Sequence, residues 1–311
     1  MYEKKKYSGS KLRGARYEIQ EGSDLYPHAF LELKKVPKKI YLIGNPDMLS
    51  DGLAIIGTRK ASPYGLSCAE HFAKIAASRG VNIISGGAYG CDIQAHKAAI
   101  DAGGKTLVFL GGGCDRIYPA RHFNIFQEII DKGGAIASEQ QWDFSPLPYT
   151  FRERNRLIAT LSLATLVVEA GLPSGTFSTA DEALQYNREV LVVPGSITSD
   201  NSSGCNRLLY QGALPVVDDA SFIDILCSIF GPTATVSVDG GCADGKPDYD
   251  SKVYKAICAE PLNMDELMNA MGTSCSEHSK KYSELAIELS KLEYMGLIER
   301  FLDGRYVAKV I

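Results

Sequence analysis

Three arginines, Arg152, Arg154 and Arg156, alternate within the sequence FRERNR at residues 151–156. A guanidinium group presents several donors in a fixed plane, which suits it to carboxylates and phosphates. The whole chain carries a formal net charge of -4, so the cluster is a local feature. One interpretation is solvent-exposed charge with Glu153 as a local partner. We favour a second one, because Pro-rich chain precedes the cluster and an apolar stretch follows it. Such a loop-to-helix entry lets arginines and helix N–H groups bind one anion.

The spacing of these arginines leaves two geometries open. On an extended segment all three side chains lie on one side. On a helix Arg152 and Arg156 share a face, while Arg154 points away and would serve a partner or a second subunit. We expect Arg152 and Arg156 to form one wall of an anion-binding groove in either geometry.

Segments rich in glycine or hydroxyl groups follow several short apolar runs. They include GTRK (57–60), SGGAYGCD (85–92), GGGC (111–114) and SGT (174–176). Glycine lets the backbone approach a ligand closely, and N–H groups at the start of a following helix attract phosphate. A Gly-rich turn after a strand is also often only a tight turn. SGGAYG lacks the spacing of a dinucleotide fingerprint, and no GxxxxGK[ST] P-loop occurs in the chain.

The apolar runs themselves predict the fold. Seven of them, from LAIIG at residue 53 to LPVVDD ending at residue 219, alternate with amphipathic stretches. Near-continuous hydrophobic runs are typical of strands buried on both faces, and their alternation with helices gives a parallel sheet. Ligands bind such a sheet beyond the carboxyl ends of its strands. The sequence therefore predicts an α/β, Rossmann-like, doubly wound and mostly parallel sheet over residues 41–230.

Three further segments flank this predicted sheet. In residues 1–40 Lys and Arg outnumber Asp and Glu, and we expect a flexible basic lead-in. Residues 231–250 are rich in Gly, Asp, Thr and Pro, which is typical of a linker. Residues 251–311 read as three helices and a hairpin, the order of a winged helix, and Asn263 with Glu266 predicts a capping box.

Composition excludes several classes of protein and site. No run approaches the roughly 20 apolar residues of a membrane span. The eight cysteines are scattered, with no CxxC pair and no clustered histidines. This distribution favours reduced thiols in a cytoplasmic protein over zinc or disulfides. The acidic chain also lacks the polybasic signature of a duplex-DNA binder. We predict no metal, no cofactor and no membrane.

Four long stretches, in this order, resemble the DNA-processing protein A family (DprA, also called Smf). They are AIIGTRKASPYG (54–65), the stretch from ISGGAYG to RIYP (84–119), that from FRERNR to ADEAL (151–184), and VVPGSITSDNSSGCNRLLYQGA (192–213). The resemblance implies a single-stranded DNA-binding protein with an extended Rossmann domain and no catalytic activity. It also implies a homodimer that protects incoming strands in natural transformation and hands them to the recombinase RecA.

The resemblance assigns DNA or phosphate binding to residues of five loops. They are Arg59, Gly86, Gly87, Gly90, Arg152, Asn155, Arg156, Ser174, Gly175, Thr176, Asn206 and Arg207, and the neighbouring cations Lys60 and Arg154 extend the set. Tyr89 and Phe151 are candidates for base stacking. The second loop departs from the common SGLARGIDAAAH, because Gly87 and Tyr89 stand where the family has Leu and Arg. This departure weakens the local positive charge.

A second function stays open, that of a nucleotide phosphoribohydrolase of the LOG type, whose loop reads PGGxGTxxE. The sequence LPSGTFSTADEAL (172–184) contains the GT but lacks the paired glycines. Its acids, Asp181 and Glu182, come too late for that role. Asp92 and Glu169 remain candidate carboxylates at the rim, although Asp92 resembles a helix N-cap and Glu169 is suited to brace an arginine.

Two questions concern surfaces outside the predicted rim. The apolar segment DDASFIDILCSIF at 218–230 is a candidate dimer interface or, equally, a plain core helix. The winged helix would serve a duplex-DNA regulator poorly, because its presumed recognition helix mixes lysines with glutamates. We therefore expect residues 251–311 to contribute little to single-strand affinity.

Overall fold

The computed structural model describes residues 11–172, 175–231, 252–259, 261–270, 278–294, 297–301 and 304–308. The chain divides into two compact units between Val236 and Ser237. This division falls inside the predicted linker, residues 231–250, of which all but Gly231 lie outside the described residues.

A nine-stranded sheet forms the centre of the first unit. Its strands are β1 (Arg16–Gln20), β2 (Lys39–Gly44), β3 (Gly52–Ile56), β4 (Ile83–Ser85), β5 (Thr106–Phe109), β6 (Ala135–Ser138), β7 (Ser162–Val167), β8 (Glu189–Val192) and β9 (Leu214–Pro215). They lie in the order β1-β2-β6-β5-β4-β3-β7-β8-β9. Neighbours from β6 to β9 are parallel, whereas β2 is antiparallel to both β6 and β1. The seven parallel strands are those predicted, and the mostly parallel α/β fold is confirmed.

Seven helices connect and cover these strands. They are α1 (Pro63–Ser78), α2 (Cys91–Asp101), α3 (Phe123–Asp131), α4 (Pro148–Leu161), α5 (Thr176–Gln185), α6 (Ser203–Tyr210) and α7 (Asp219–Phe230). Helices α1, α2 and α7 pack against one face of the central strands, and α4 packs against the other, with separate buried clusters on the two sides. Because both faces are covered, the central strands are largely apolar, and the hydroxyls of Ser85 and Thr106 donate to backbone carbonyl groups of neighbouring strands.

Residues 11–40 are not the separate lead-in expected from the charge of the first 40 residues, and residues 1–10 lie outside the described residues. Strand β1 pairs with β2 from Arg16 opposite Ile43 onward, and a short 3-10 turn over His28–Glu32 buries Phe30 in the core. The ring of Phe30 lies 6.1 Å from that of Phe109 in β5. The sheet domain therefore begins well before residue 41. Sequence reasoning missed β1 because an edge strand with one buried residue lacks the continuous apolar run of a central strand.

The described residues of the second unit form three helices and a hairpin. Its elements are α8 (Lys252–Ala259), α9 (Met264–Ala270), α10 (His278–Tyr294), β10 (Ile298–Arg300) and β11 (Tyr306–Ala308), with β10 and β11 antiparallel. The predicted capping box is present. Glu266 N–H donates to Asn263 Oδ1 over 3.0 Å, and Asn263 N–H donates to Glu266 Oε2 over 2.7 Å. The order of elements agrees with the expectation, and the assignment as a winged helix stays a prediction.

Candidate nucleic-acid interface

An open groove of about 1020 Å³ lies at the carboxyl ends of the central strands. Segments that follow β3, β4, β5, β6 and β7 line it: Ile56–Arg59, Ala88, Asp92, Tyr118, Pro148, Phe151, Arg152, Arg154, Asn155, Ile158 and 175–179 with Asp181. The chain runs outward from β3 through β4 to β5 and β6, then returns to place β7 on the other side of β3. The groove thus lies at the topological switch point, where doubly wound sheets bind ligands.

Arg154 forms the buried floor of the groove. It is 5% exposed, and its Nη1 donates to the carbonyl oxygens of Gly86, over 2.7 Å, and of Phe109. Burial lowers the pKa of Arg154 to about 10, so the guanidinium remains charged at neutral pH. The nearby carboxylate of Asp92 opposes this lowering of the Arg154 pKa and so balances the charge. Asp92 also accepts hydrogen bonds from the N–H groups of Gly86 and Ala88. Arg154 therefore also holds the 86–90 loop in place.

Asp92 is not the helix N-cap expected from the sequence, because it lies inside α2, whose N-cap position is Gly90. Burial raises the pKa of the Asp92 carboxyl, while Arg154 and two backbone N–H groups oppose that shift. Gly86 permits this arrangement, because a Cβ there would lie 2.3 Å from the Arg154 guanidinium. The loop, the arginine and the aspartate form one interlocked unit.

The exposed cations of the groove are Arg59 and Arg152. Arg59 follows β3, and its guanidinium carbon lies 5.7 Å from the centre of the Phe151 ring. Arg152 stands in the first turns of α4. Neither has a hydrogen bond or ion pair to another described residue, so both guanidinium groups can bind an anion from solvent. Two exposed cations at the mouth of a groove suit a ligand with more than one phosphate.

Arg156 does not join Arg152 in the groove wall, contrary to the expected geometry. Its guanidinium forms a buried ion pair with Glu139 and donates to the carbonyl oxygen of Lys35 over 2.9 Å. Glu153, three residues earlier on α4, also contacts Lys35. Arg156 therefore lies on the same side of α4 as Glu153, three residues earlier. There its guanidinium pairs with Glu139, which follows β6. Within the cluster, Arg152 and Arg154 line the groove, whereas Arg156 holds α4 to the chain before β2.

Aromatic and hydroxyl groups line the remaining walls. The ring of Phe151 lies 5.5 Å from that of Tyr118, which is exposed after β5. Across the groove, α5 begins at Thr176 and its first residues line the cavity, and the start of a helix is a favourable place for phosphate. Asn155 Nδ2 donates to Ser178 Oγ over 2.8 Å and ties α4 to α5. The groove thus offers stacking surfaces as well as anion donors.

Several residues assigned by the resemblance lie outside the groove lining. Lys60 is exposed beside Arg59, and Gly87 and Gly90 shape the loop without lining the cavity. Asn206 is bonded in both directions to Gly195, over 3.4 and 3.0 Å, and Arg207 lies over Tyr210 on the surface.

Tyr89 also lies outside the lining, edge-on to His122 and beneath the Arg121 guanidinium at 4.1 Å. Ser174 lies outside the described residues, whereas Gly175 and Thr176 line the groove as expected. Sequence reasoning did not include Tyr118 or Asp181 in the site. Tyr118 lies in the segment that follows the third apolar run, and this position beyond the carboxyl end of a predicted strand is the sequence signal that could have identified it.

Glu169 does not brace an arginine. Its Oε2 accepts from the N–H of Ser62 over 2.8 Å, and its Oε1 accepts from the Ser62 hydroxyl over 2.6 Å. Ser62 in turn accepts from Gly65 N–H and caps α1. Both carboxylate oxygens are therefore engaged in holding the start of α1. This engagement, together with 3% exposure, makes Glu169 unsuited to act on a nucleotide in the groove.

The described parts of the chain also bear on metal binding and membrane insertion. In those parts no three His, Cys, Asp or Glu side chains come close enough to hold a metal ion. The thiols of Cys68, Cys91, Cys114 and Cys205 are buried, and burial raises the pKa of Cys68 to about 11. Across the same residues, none of the helices has both the length and the hydropathy of a bilayer-crossing segment.

Known proteins similar to this chain are concerned with DNA. A family model described as DNA recombination-mediator protein A matches residues 18–226. Protein Smf of Escherichia coli is 39% identical over 209 residues, which cover 67% of this chain and 56% of that protein. A putative DNA processing protein DprA of Mycobacterium tuberculosis is 38% identical over 254 residues, 81% of this chain and 63% of the relative. The match thus spans 56% to 63% of the length of these two relatives.

Two solved structures share the fold. DNA processing protein A from Streptococcus pneumoniae gives a TM-score of 0.63 at 32% identity, covering 67% of this chain and 73% of that one. DNA processing protein A from Helicobacter pylori, whose structure concerns a unique single-stranded DNA binding mode, gives a TM-score of 0.63 at 33% identity. This match covers 70% of this chain and 99% of that one. The match of the family model over residues 18–226, together with the shared fold, shows that the chain belongs to the DNA recombination-mediator protein A family.

Proposed function

We propose that this protein is a single-stranded DNA-binding recombination mediator, and not an enzyme, whose binding site is the groove at the switch point. One observation carries the proposal: two exposed guanidinium groups, Arg59 and Arg152, stand at the mouth of a cavity with aromatic and apolar walls. A single strand exposes both phosphates and base faces, and its binders combine spaced cations with stacking surfaces. Duplex DNA presents its bases only at their edges, so it cannot enter such a cavity.

In this proposal phosphates bind at the rim and a base enters the groove. Arg59, Arg152 and the N–H groups at the start of α5 receive the phosphates, while Tyr118 and Phe151 offer faces for stacking. Stacking of a base on an aromatic side chain contributes about 1–3 kcal/mol. The structure of the Helicobacter pylori relative, which concerns single-stranded DNA binding, supports this type of ligand.

A salt titration tests the site. We expect the wild type to bind a fluorescent single-stranded oligonucleotide more tightly than its duplex. The slope of log K against log salt concentration is about -0.7 for each neutralised phosphate. Arg152→Gln should therefore reduce the magnitude of the slope of log K against log salt concentration by about 0.7. Lys132→Gln removes an exposed charge at the opposite rim, after α3, and should leave the slope unchanged. An equal response of the two variants, or a preference for duplex, would contradict the proposal.

The assembly and the partner are part of the same proposal. We propose a cytoplasmic homodimer that protects incoming single strands in natural transformation and hands them to RecA; the family description as a recombination mediator supports this role.

Helix α7, one candidate interface of this dimer, buries Phe222 and Leu226 against the core and exposes Asp224. The neighbouring edge is more apolar, with Tyr210 84% and Val217 67% exposed near β9. Sedimentation of Val217→Glu should show a larger monomer fraction than wild type, and an unchanged fraction would exclude this edge.

The second unit has a supporting part in this proposal. We expect a chain ending at residue 231 to keep most of the affinity for single strands, because the groove residues all belong to the first unit. Loss of nearly all binding on that truncation, with the sheet domain still folded, would move the DNA site to the second unit.

A further inference from the structure

Asp181 is an exposed carboxylate on the wall of a groove whose mouth is cationic. The other carboxylate there, Asp92, is buried and turned towards the N–H groups of Gly86 and Ala88. Asp181 has no such partner, since among the described residues no hydrogen bond or ion pair reaches it. A free carboxylate repels a phosphate chain, so its place in a DNA-binding groove calls for a ligand group that donates hydrogen bonds.

The position of Asp181 along α5 separates it from the phosphate-binding rim. Ser178 and Asp181 are three residues apart and share a face of the helix. Ser178 is bonded to Asn155 of α4, and Ile158, one turn further along α4, lines the same groove. Asp181 therefore lies more than one turn along α5 from the helix start, on the part of the groove wall that also includes Ser178. A nucleotide whose phosphate binds at the start of α5 can extend its base along this wall to Asp181.

We propose that Asp181 reads the base in the groove and selects guanine, an inference that rests on the proposed single-stranded DNA binding. Guanine presents N1–H and an N2 amino group side by side, which match the two oxygens of one carboxylate. Cytosine and adenine offer an amino group beside a ring acceptor, which repels the second oxygen. Thymine offers one N3–H between two carbonyl oxygens. Only guanine therefore makes two parallel, charge-assisted hydrogen bonds without opposing lone pairs.

Binding of oligonucleotides that differ at one base tests this selection. The probes are a 12-nucleotide thymidine strand and the same strand with one central guanine, hypoxanthine, cytosine or adenine. We expect wild type to bind the guanine strand about tenfold more tightly than the thymidine strand, the scale of one good bidentate contact. Hypoxanthine keeps N1–H and lacks the amino group, so its strand should fall between the two. Asp181→Asn should remove most of the guanine preference.

The control is Asp224→Asn, the same change at an exposed position of α7 outside the groove, which should keep the preference. If Asp181→Asn instead tightens all five strands equally, Asp181 acts only as a repelling charge and the inference is wrong. A wild-type preference for cytosine or adenine, or none, also overturns it while the proposed function stands. Failure of wild type to bind any of the strands overturns both.

Discussion

Substitution of Arg156 by Met should destabilise the first unit without weakening the phosphate contacts of the groove. Arg156 and Glu139 form a buried ion pair in which the side chains are 10% and 11% exposed. The second carboxylate oxygen, Glu139 Oε1, is buried and has no hydrogen-bond partner among the described residues. Removal of Arg156 leaves this carboxylate uncompensated. Breaking a buried pair from one side costs about 3–5 kcal/mol of folding free energy.

The pH dependence of this loss follows from Glu139. Burial already raises the pKa of the Glu139 carboxyl, and Arg156 opposes that shift. Without the arginine the folded-state pKa rises further above the unfolded value. The loss is then greatest at neutral pH, where the carboxylate must stay charged or take up a proton, and it shrinks as pH falls towards 5. The double variant Arg156→Met with Glu139→Leu removes both charges and should recover most of the stability.

Urea unfolding followed by tryptophan fluorescence measures these differences. Trp142 is the single tryptophan of the sequence and lies in the first unit, where its Nε1 donates to Glu18 over 2.9 Å. The matched control is Glu153→Gln, which breaks the solvent-exposed pair with Lys35 and should cost less than about 1 kcal/mol. If Arg156→Met is as stable as this control, or reduces the salt slope of DNA binding by about 0.7, the structural role assigned to Arg156 is wrong.

Three further predictions concern the fold around the groove. His96 is fully buried, and burial lowers its pKa to about 3, so protonation of its imidazole favours unfolding. The free energy of unfolding should therefore fall by about 1.4 kcal/mol for each pH unit below pH 6.5. A His96→Gln variant that keeps this slope in urea titrations would refute the assignment. Gly90→Ala should cost at least about 2 kcal/mol, since Gly90 has φ +79° and a Cβ would lie 2.2 Å from the Thr58 oxygen. Gly103→Ala, at φ +73° with open space, should cost only about 1–2 kcal/mol, and equal losses by thermal unfolding would count against the steric argument. Ser62→Ala should cost about 2 kcal/mol through the lost cap and the hydroxyl donated to Glu169, whereas Ser62→Thr should cost less than half of that; equal costs would argue against the hydroxyl.

The sequence alone determined the elements of the sheet domain whose signals are local. Strands buried on both faces are largely apolar, so the runs behind β3 to β8 identify themselves. Ser62 before Pro63 sets the start of α1 in the same local way, because a helix needs an acceptor for its first N–H groups. The parallel topology then brings Arg59, Arg152 and the start of α5 to one rim, since all of them follow carboxyl ends of strands.

Only the tertiary structure decided how the three arginines divide. Helix periodicity sets the direction of each Cβ, but a long guanidinium side chain goes where its partners lie. Arg154 reaches carbonyl groups at the ends of β4 and β5, and Arg156 reaches Glu139 after β6; those partners are 68, 45 and 17 residues away in sequence. The pairing of β1 with β2 is non-local in the same sense. A sequence motif therefore located the anion site, and packing between distant segments decided that one of its arginines would serve stability instead.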